Sequence, residues 1–121
     1  MRPGLVTDLI PFLQVSDVET SIAFYEVLGL AVDDTYEPDG RVVWASMRSG
    51  SAVLMIAEAV EPIEPSGHRL FLYTEDLAAV RERLIQAGWE PPEIEDGSPG
   101  PKQEMSICDP DRHFITIAQI E

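Results

Sequence analysis

The sequence predicts an α+β fold made of two β-α-β-β-β modules within one domain, residues 1–121. Three observations carry this: a segment written twice at an offset of 59 residues, a switch in each copy from strand-like to helical apolar spacing, and a proline-bearing stretch between the copies. The first copy, residues 9–30, reads LIPFLQVSDVETSIAFYEVLGL; the second, residues 68–89, reads HRLFLYTEDLAAVRERLIQAGW. Phe12 aligns with Phe71, Leu13 with Leu72, Asp17 with Asp76, Val18 with Leu77 and Gly29 with Gly88.

The first module, residues 8–57, opens with about six apolar and aromatic residues, the length of a strand. Ser16 and Glu19 form an S-x-x-E capping box, which predicts the start of a helix. Val18, Ile22 and Tyr25 give that helix one apolar face. Gly29 ends it, because a left-handed residue costs least without a Cβ. Strands are predicted over Leu30 to Tyr36, Val42 to Met47 and Ala52 to Ala57.

EAVEPIEPSG, residues 58–67, is the linker between modules. The second module, residues 68–121, repeats the order. Thr74 or Asp76 caps a helix whose apolar face is Leu77, Val80, Leu84 and Ala87, and Gly88 ends it. Strands are predicted over Glu90 to Ile94, Gln103 to Cys108 and His113 to Gln119. DGSPGPK, residues 96–102, is either a mobile loop or a plain hairpin connection. One helix per half is too little to cover a sheet, so the halves are expected to share a core. Phe24, Tyr25 and Trp89 are expected to pack there or between the helices.

Composition narrows the partners. Twenty-two acidic against 8 basic residues give a net charge of −14, which repels phosphate backbones and excludes nucleic acid as a natural partner. The same field attracts cationic ligands or simply maintains solubility. No stretch approaches the roughly 20 apolar residues of a membrane span, so a soluble, cytoplasmic protein is expected. The lone Cys108 rules out an internal disulfide and is expected to be a buried, inert thiol. Ser46, Ser51 and Cys108 lack an evident histidine and acid arrangement, so no catalytic residue is assigned.

VSDVETSIAFYEVLGL at Val15 to Leu30, together with DPDRHFITI at Asp109 to Ile117, resembles the vicinal oxygen chelate superfamily. That superfamily includes glyoxalase I, extradiol dioxygenases, fosfomycin-modifying enzymes and bleomycin-resistance proteins. The resemblance covers nearly the whole chain. It implies a curved mixed sheet around a cleft, with helices on the outer face. In metal-dependent members it also implies four ligands from the first and fourth strands of each module, which map here to Ile10, Met55, Arg69 and Thr116. Isoleucine cannot coordinate, arginine carries a fixed positive charge, and methionine and threonine suit a hard or borderline divalent ion poorly. No metal and no cofactor is therefore expected, and the chain is closest in type to metal-free bleomycin-resistance-like members. Strand alternation turns His68 and His113 away from the cleft face, as strand-end residues with a hydrogen bond or partial exposure. Arg112 stands where the family's turn usually carries glycine, so either a positive φ is strained there or the turn differs.

Alternation places Phe12 and Gln14 on one cleft face, and Arg69, Phe71 and Tyr73 on its counterpart, with Met55 and Thr116 beside them. Phe12 and Phe71 suit a ligand pocket and a dimer interface equally, and bleomycin-resistance-like members pair two chains. Arg69 needs a partner, either an internal carboxylate, favoured by the acidic composition, or a bound anion or carbonyl. Trp44 could stack on a flat ligand, although core packing is slightly favoured. The expected ligand-binding set is Phe12, Gln14, Trp44, Met55, Arg69, Phe71, Tyr73 and Thr116. The expected function is metal-independent binding or sequestration, by a homodimer, of a small hydrophobic, aromatic or cationic molecule such as an antibiotic. One alternative is a metalloenzyme with unorthodox ligands among Glu58, Glu104, His68 and His113; another is an accessory interaction module.

Overall fold

A computed structural model describes residues 4–64 and 67–121; residues 65 and 66 of the expected linker lie outside the described residues. The order is β1 (Phe12–Val15), α1 (Val18–Val27), β2 (Ala31–Tyr36), β3 (Trp44–Ser49), β4 (Ala52–Glu58), β5 (Arg69–Thr74), α2 (Leu77–Gln86), β6 (Glu104–Cys108) and β7 (Phe114–Gln119). The strands form two mixed sheets, ordered β1-β4-β3-β2 and β5-β7-β6. In each module the first strand runs parallel to the last, with the helix following the first strand, so β1 and β5 are the outer strands of their sheets.

The two modules differ in one place. The strand expected over Glu90 to Ile94 does not form, leaving three strands in the second sheet. Pro91 and Pro92 explain this, since neither has an N–H to give to a ladder. A single antiparallel bridge between Glu95 and Glu104 takes its place.

The helix ends follow the sequence signals with one correction. Asp17 caps α1, accepting from the Glu19 N–H at 3.1 Å, while the Ser16 N–H donates to Asp111 Oδ2 at 3.1 Å. Aspartate and serine cap about equally well, and here the aspartate one residue later takes the cap while the serine backbone is engaged by Asp111. Asp76 caps α2, accepting from the Ala79 N–H at 3.0 Å. Gly29 and Gly88 follow the two helices with φ of +102° and +94°, conformations that glycine adopts readily.

Apolar faces of both modules bury into a single cluster that includes Val15, Phe24, Ile56, Leu77, Leu84 and Ile115. Phe24 joins the modules through rings, meeting Tyr25 edge-on at 5.1 Å and Trp89 at 4.9 Å. Arg83 on α2 donates to the Glu26 carbonyl at 2.9 Å, setting a cation at the C-terminal end of α1, where that carbonyl also accepts the Gly29 N–H. Cys108 is exposed rather than buried, because it ends β6 at the sheet margin. Among the described residues no helix is long and apolar enough to cross a membrane.

Candidate ligand-binding face

Residues directly opposite each other in a ladder share a face, so the register fixes what lies beside what. In the first sheet Phe12 faces Met55 and Gln14 faces Ala57, while Ser46 and Trp44 face Met55 and Ala57 from the other side. Phe12, Gln14, Trp44 and Met55 therefore share one face. Trp44 belongs to this face and is half-buried there, on the side of the sheet opposite Leu54 and Ile56. Leu54 and Ile56, out of phase with Met55, point into the core.

The second sheet repeats the arrangement. Arg69, Phe71 and Tyr73 lie opposite Phe114, Thr116 and Ala118, and Ser106 lies opposite Thr116. Phe71 and Tyr73 stack obliquely with ring centroids 5.4 Å apart. Much of this aromatic surface is open: Phe12 is 52%, Phe71 46% and Tyr73 63% exposed.

Arg69 is held by neutral groups. Its Nη1 donates to Thr116 Oγ1 at 2.6 Å and to Ser106 Oγ at 3.3 Å, and its guanidinium carbon stands 5.9 Å from the centre of the Phe114 ring. The two hydroxyls are themselves 3.0 Å apart. The internal carboxylate favoured from composition is not there: among the described residues the ion pairs join Arg41 to Glu58, Arg48 to Asp33 and Arg81 to Glu93. Within its own sheet Arg69 has Phe114, Thr116 and Ser106 beside it, while Glu61 and Glu64 line the cavity it shares without pairing with it.

A cavity of about 950 Å³ opens between the outer strands β1 and β5 and residues 61–64, and it brings Phe12, Gln14 and Arg69 together with Glu61, Glu64, His68 and His113. A second, of about 380 Å³, adds Phe71 to Arg69. Tyr73 lines a third, beside Pro101 and Ile120, while Trp44, Met55 and Thr116 line none of these three. The histidines precede β5 and β7 by one residue and reach the cavity because it runs between sheet margins rather than over a face. His113 Nε2 sits 2.8 Å from the Gln14 carbonyl oxygen.

A divalent cation does not fit these residues. Two of the four family ligand positions, Arg69 and Thr116, are bonded to each other, and the other two are Ile10 and Met55. Among the described residues no three His, Cys, Asp or Glu side chains converge to hold a metal, and Glu58 of the alternative set is engaged by Arg41.

Sequence reading did not reach the polar seam joining the modules. Tyr25 on α1 donates its hydroxyl to Asp109 Oδ2 at 2.8 Å, while Asp109 Oδ1 accepts the N–H groups of Asp111 and His113 at 2.9 and 2.8 Å. Burial first, and the Asp109 carboxylate second, push the Tyr25 hydroxyl far above its ordinary pKa. The signal was present, since both residues lie inside the two quoted motifs, but nothing in one sequence says that they meet.

Paired β-α-β units with an aromatic sheet face define the class, and a family model confirms it. Residues 6–117 match the Glyoxalase/Bleomycin resistance protein/Dioxygenase superfamily, and the chain belongs to it. Among solved structures it is similar to TnmS3, an antibiotic-binding protein from Streptomyces sp. CB03234, at 22% identity and a TM-score of 0.77, covering 98% of this chain and 100% of that one. It is also similar to a bleomycin resistance determinant encoded on the transposon Tn5, at 21% identity and a TM-score of 0.73, covering 96% and 99%. A bleomycin-binding protein complexed with bleomycin gives 21%, 0.73, 96% and 100%. At these identities the likeness is one of fold. Among curated protein sequences, none matches the chain.

Proposed function

We propose that the chain binds and sequesters a small hydrophobic or aromatic molecule, of the kind an antibiotic presents, without a metal and without turning it over. The observation that carries this reading is the open aromatic surface: Phe12 and Phe71, about half exposed, each line a cavity that also holds Arg69, and Tyr73 stacks on Phe71. Apolar area supplies affinity in such sites and a few polar points set orientation. The similarity to antibiotic-binding and bleomycin-binding proteins supports the same reading by analogy.

An exposed aromatic face of this kind is rare on a monomer, which supports a homodimer with the ligand held between copies. A cytoplasmic location fits the single cysteine and the acidic charge. The test is a thermal-shift screen of planar aromatic and bleomycin-type compounds in the presence of a chelator, with light scattering on the same samples. A ligand at a hundred times its Kd should stabilise the fold by about 2.7 kcal/mol, a rise of several degrees, and the mass should be twice that of the monomer. No hit across the panel overturns the reading. Hits that require an added divalent ion favour the metalloenzyme alternative.

A further inference from the structure

Resting on that reading, we propose that the ligand presents an oxyanion, a carboxylate or phenolate on a flat ring system, to Arg69, so that the face selects aromatic anions over neutral or cationic counterparts. Both hydrogens of Arg69 Nη1 are directed to Thr116 and Ser106, which leaves the Nε and Nη2 hydrogens without a partner among the described residues. Thr116 and Ser106 share one hydrogen between their oxygens, and the other hydroxyl hydrogen is left to donate. The spot is therefore rich in donors and carries a full positive charge.

Thr116 is 2% exposed and anchored in the middle of β7, so it holds the guanidinium in place rather than following it. Arg41, Arg48 and Arg81 each reach a carboxylate in this acidic chain, whereas Arg69 is set among Phe71, Phe114 and two hydroxyls. A ring system laid on Phe71 and Phe114 would cover Arg69 and take away its water. A neutral ligand would strand the cation and a cationic one would repel it, while a planar oxyanion meets the guanidinium fork in two parallel hydrogen bonds. The net charge of −14 opposes anions at a distance, where salt screens it over about 8 Å, and Glu61 and Glu64 oppose them within the cavity; neither carboxylate pairs with Arg69, so direct contact with the guanidinium decides.

The experiment is titration calorimetry of the intact protein with 2-naphthoate, its neutral methyl ester and the 2-naphthylmethylammonium ion. These are measured against wild type, Arg69→Met and Phe71→Ala. Wild type should bind naphthoate about tenfold more tightly than the ester and the ammonium ion most weakly, with Arg69→Met levelling the three and Phe71→Ala weakening all of them. Equal binding of the three probes, or preference for the ammonium ion, overturns the anion selection and leaves the aromatic-binding reading standing. A naphthoate preference that persists in Arg69→Met overturns the assignment to Arg69. Failure of all three probes to bind wild type removes both the inference and the reading beneath it. Should Arg69→Met not fold, Arg69→Lys keeps the charge without the fork and should retain only part of the preference; full retention counts against the proposed geometry.

Discussion

Tyr25 and Asp109 share a buried hydrogen bond of 2.8 Å that ties the helix of the first module to the turn before the last strand of the second. The same turn closes around β1: Asp111 accepts the Ser16 N–H and His113 Nε2 meets the Gln14 carbonyl. Asp109 is 3% exposed and takes two further backbone donors, so the turn and the seam stand or fall together. Tyr25→Phe removes one donor from a buried carboxylate and should cost about 2 kcal/mol. Asp109→Ala, which strands the tyrosine hydroxyl and two N–H groups, should cost about 3 kcal/mol or more. Urea unfolding of the three proteins checks the order, and equal midpoints would show that the seam contributes nothing.

Burial of Tyr25, with the Asp109 carboxylate beside it, sets a pH limit. The Tyr25 hydroxyl keeps its proton in the folded chain well above the range where an unfolded tyrosine loses one, about pH 10. A group whose folded pKa is raised contributes stability that is fully present below the unfolded pKa and declines as pH climbs above it. Stability should thus fall above about pH 10 more steeply in wild type than in Tyr25→Phe. Melting temperatures measured from pH 8 to 11 would expose the difference, and parallel curves would contradict it.

The matching helix ends were legible because glycine and aspartate act there by local physics: Gly29 and Gly88 have positive φ and Asp76 caps, while at the first helix Asp17 caps in place of the expected Ser16. Alternation likewise placed Phe12, Arg69 and Phe71 correctly, since a strand has only two faces. What failed was non-local. Whether Trp44 faces the core depends on its register with β4, whether Arg69 meets an acid depends on β6, and neither pairing is written in one strand. The missing strand at Glu90 to Ile94 has a local cause: Pro91 and Pro92 withhold N–H groups from a ladder, whereas residues 30–36 of the first module contain no proline.

Arg112 holds a φ of +67° in the turn after Asp109, a conformation that costs a side-chain-bearing residue about 1 kcal/mol. Arg112→Gly should therefore stabilise the fold by about 0.5–1 kcal/mol, although glycine also gains freedom in the unfolded chain. Denaturant midpoints measure it, and a loss of stability would mean that the Arg112 side chain contributes more than its backbone strain costs.

Ligand on the aromatic face should be visible through Trp44, which shares a face with Phe12 and Met55, whereas Trp89 packs against Phe24 on the helix side. A bound flat compound should quench emission in wild type and in Trp89→Phe, but much less in Trp44→Phe. Phe71→Ala should weaken that compound by about 1–2 kcal/mol, or roughly five- to thirtyfold in Kd, through lost ring contact. Because Phe71 is nearly half exposed and outside the buried cluster, the same substitution should leave the melting temperature within about 2 °C of wild type. An affinity loss without a stability loss is what a binding surface predicts. If Phe71→Ala instead lowered the melting temperature and the solution mass together, the face would be serving the contact between copies rather than the ligand.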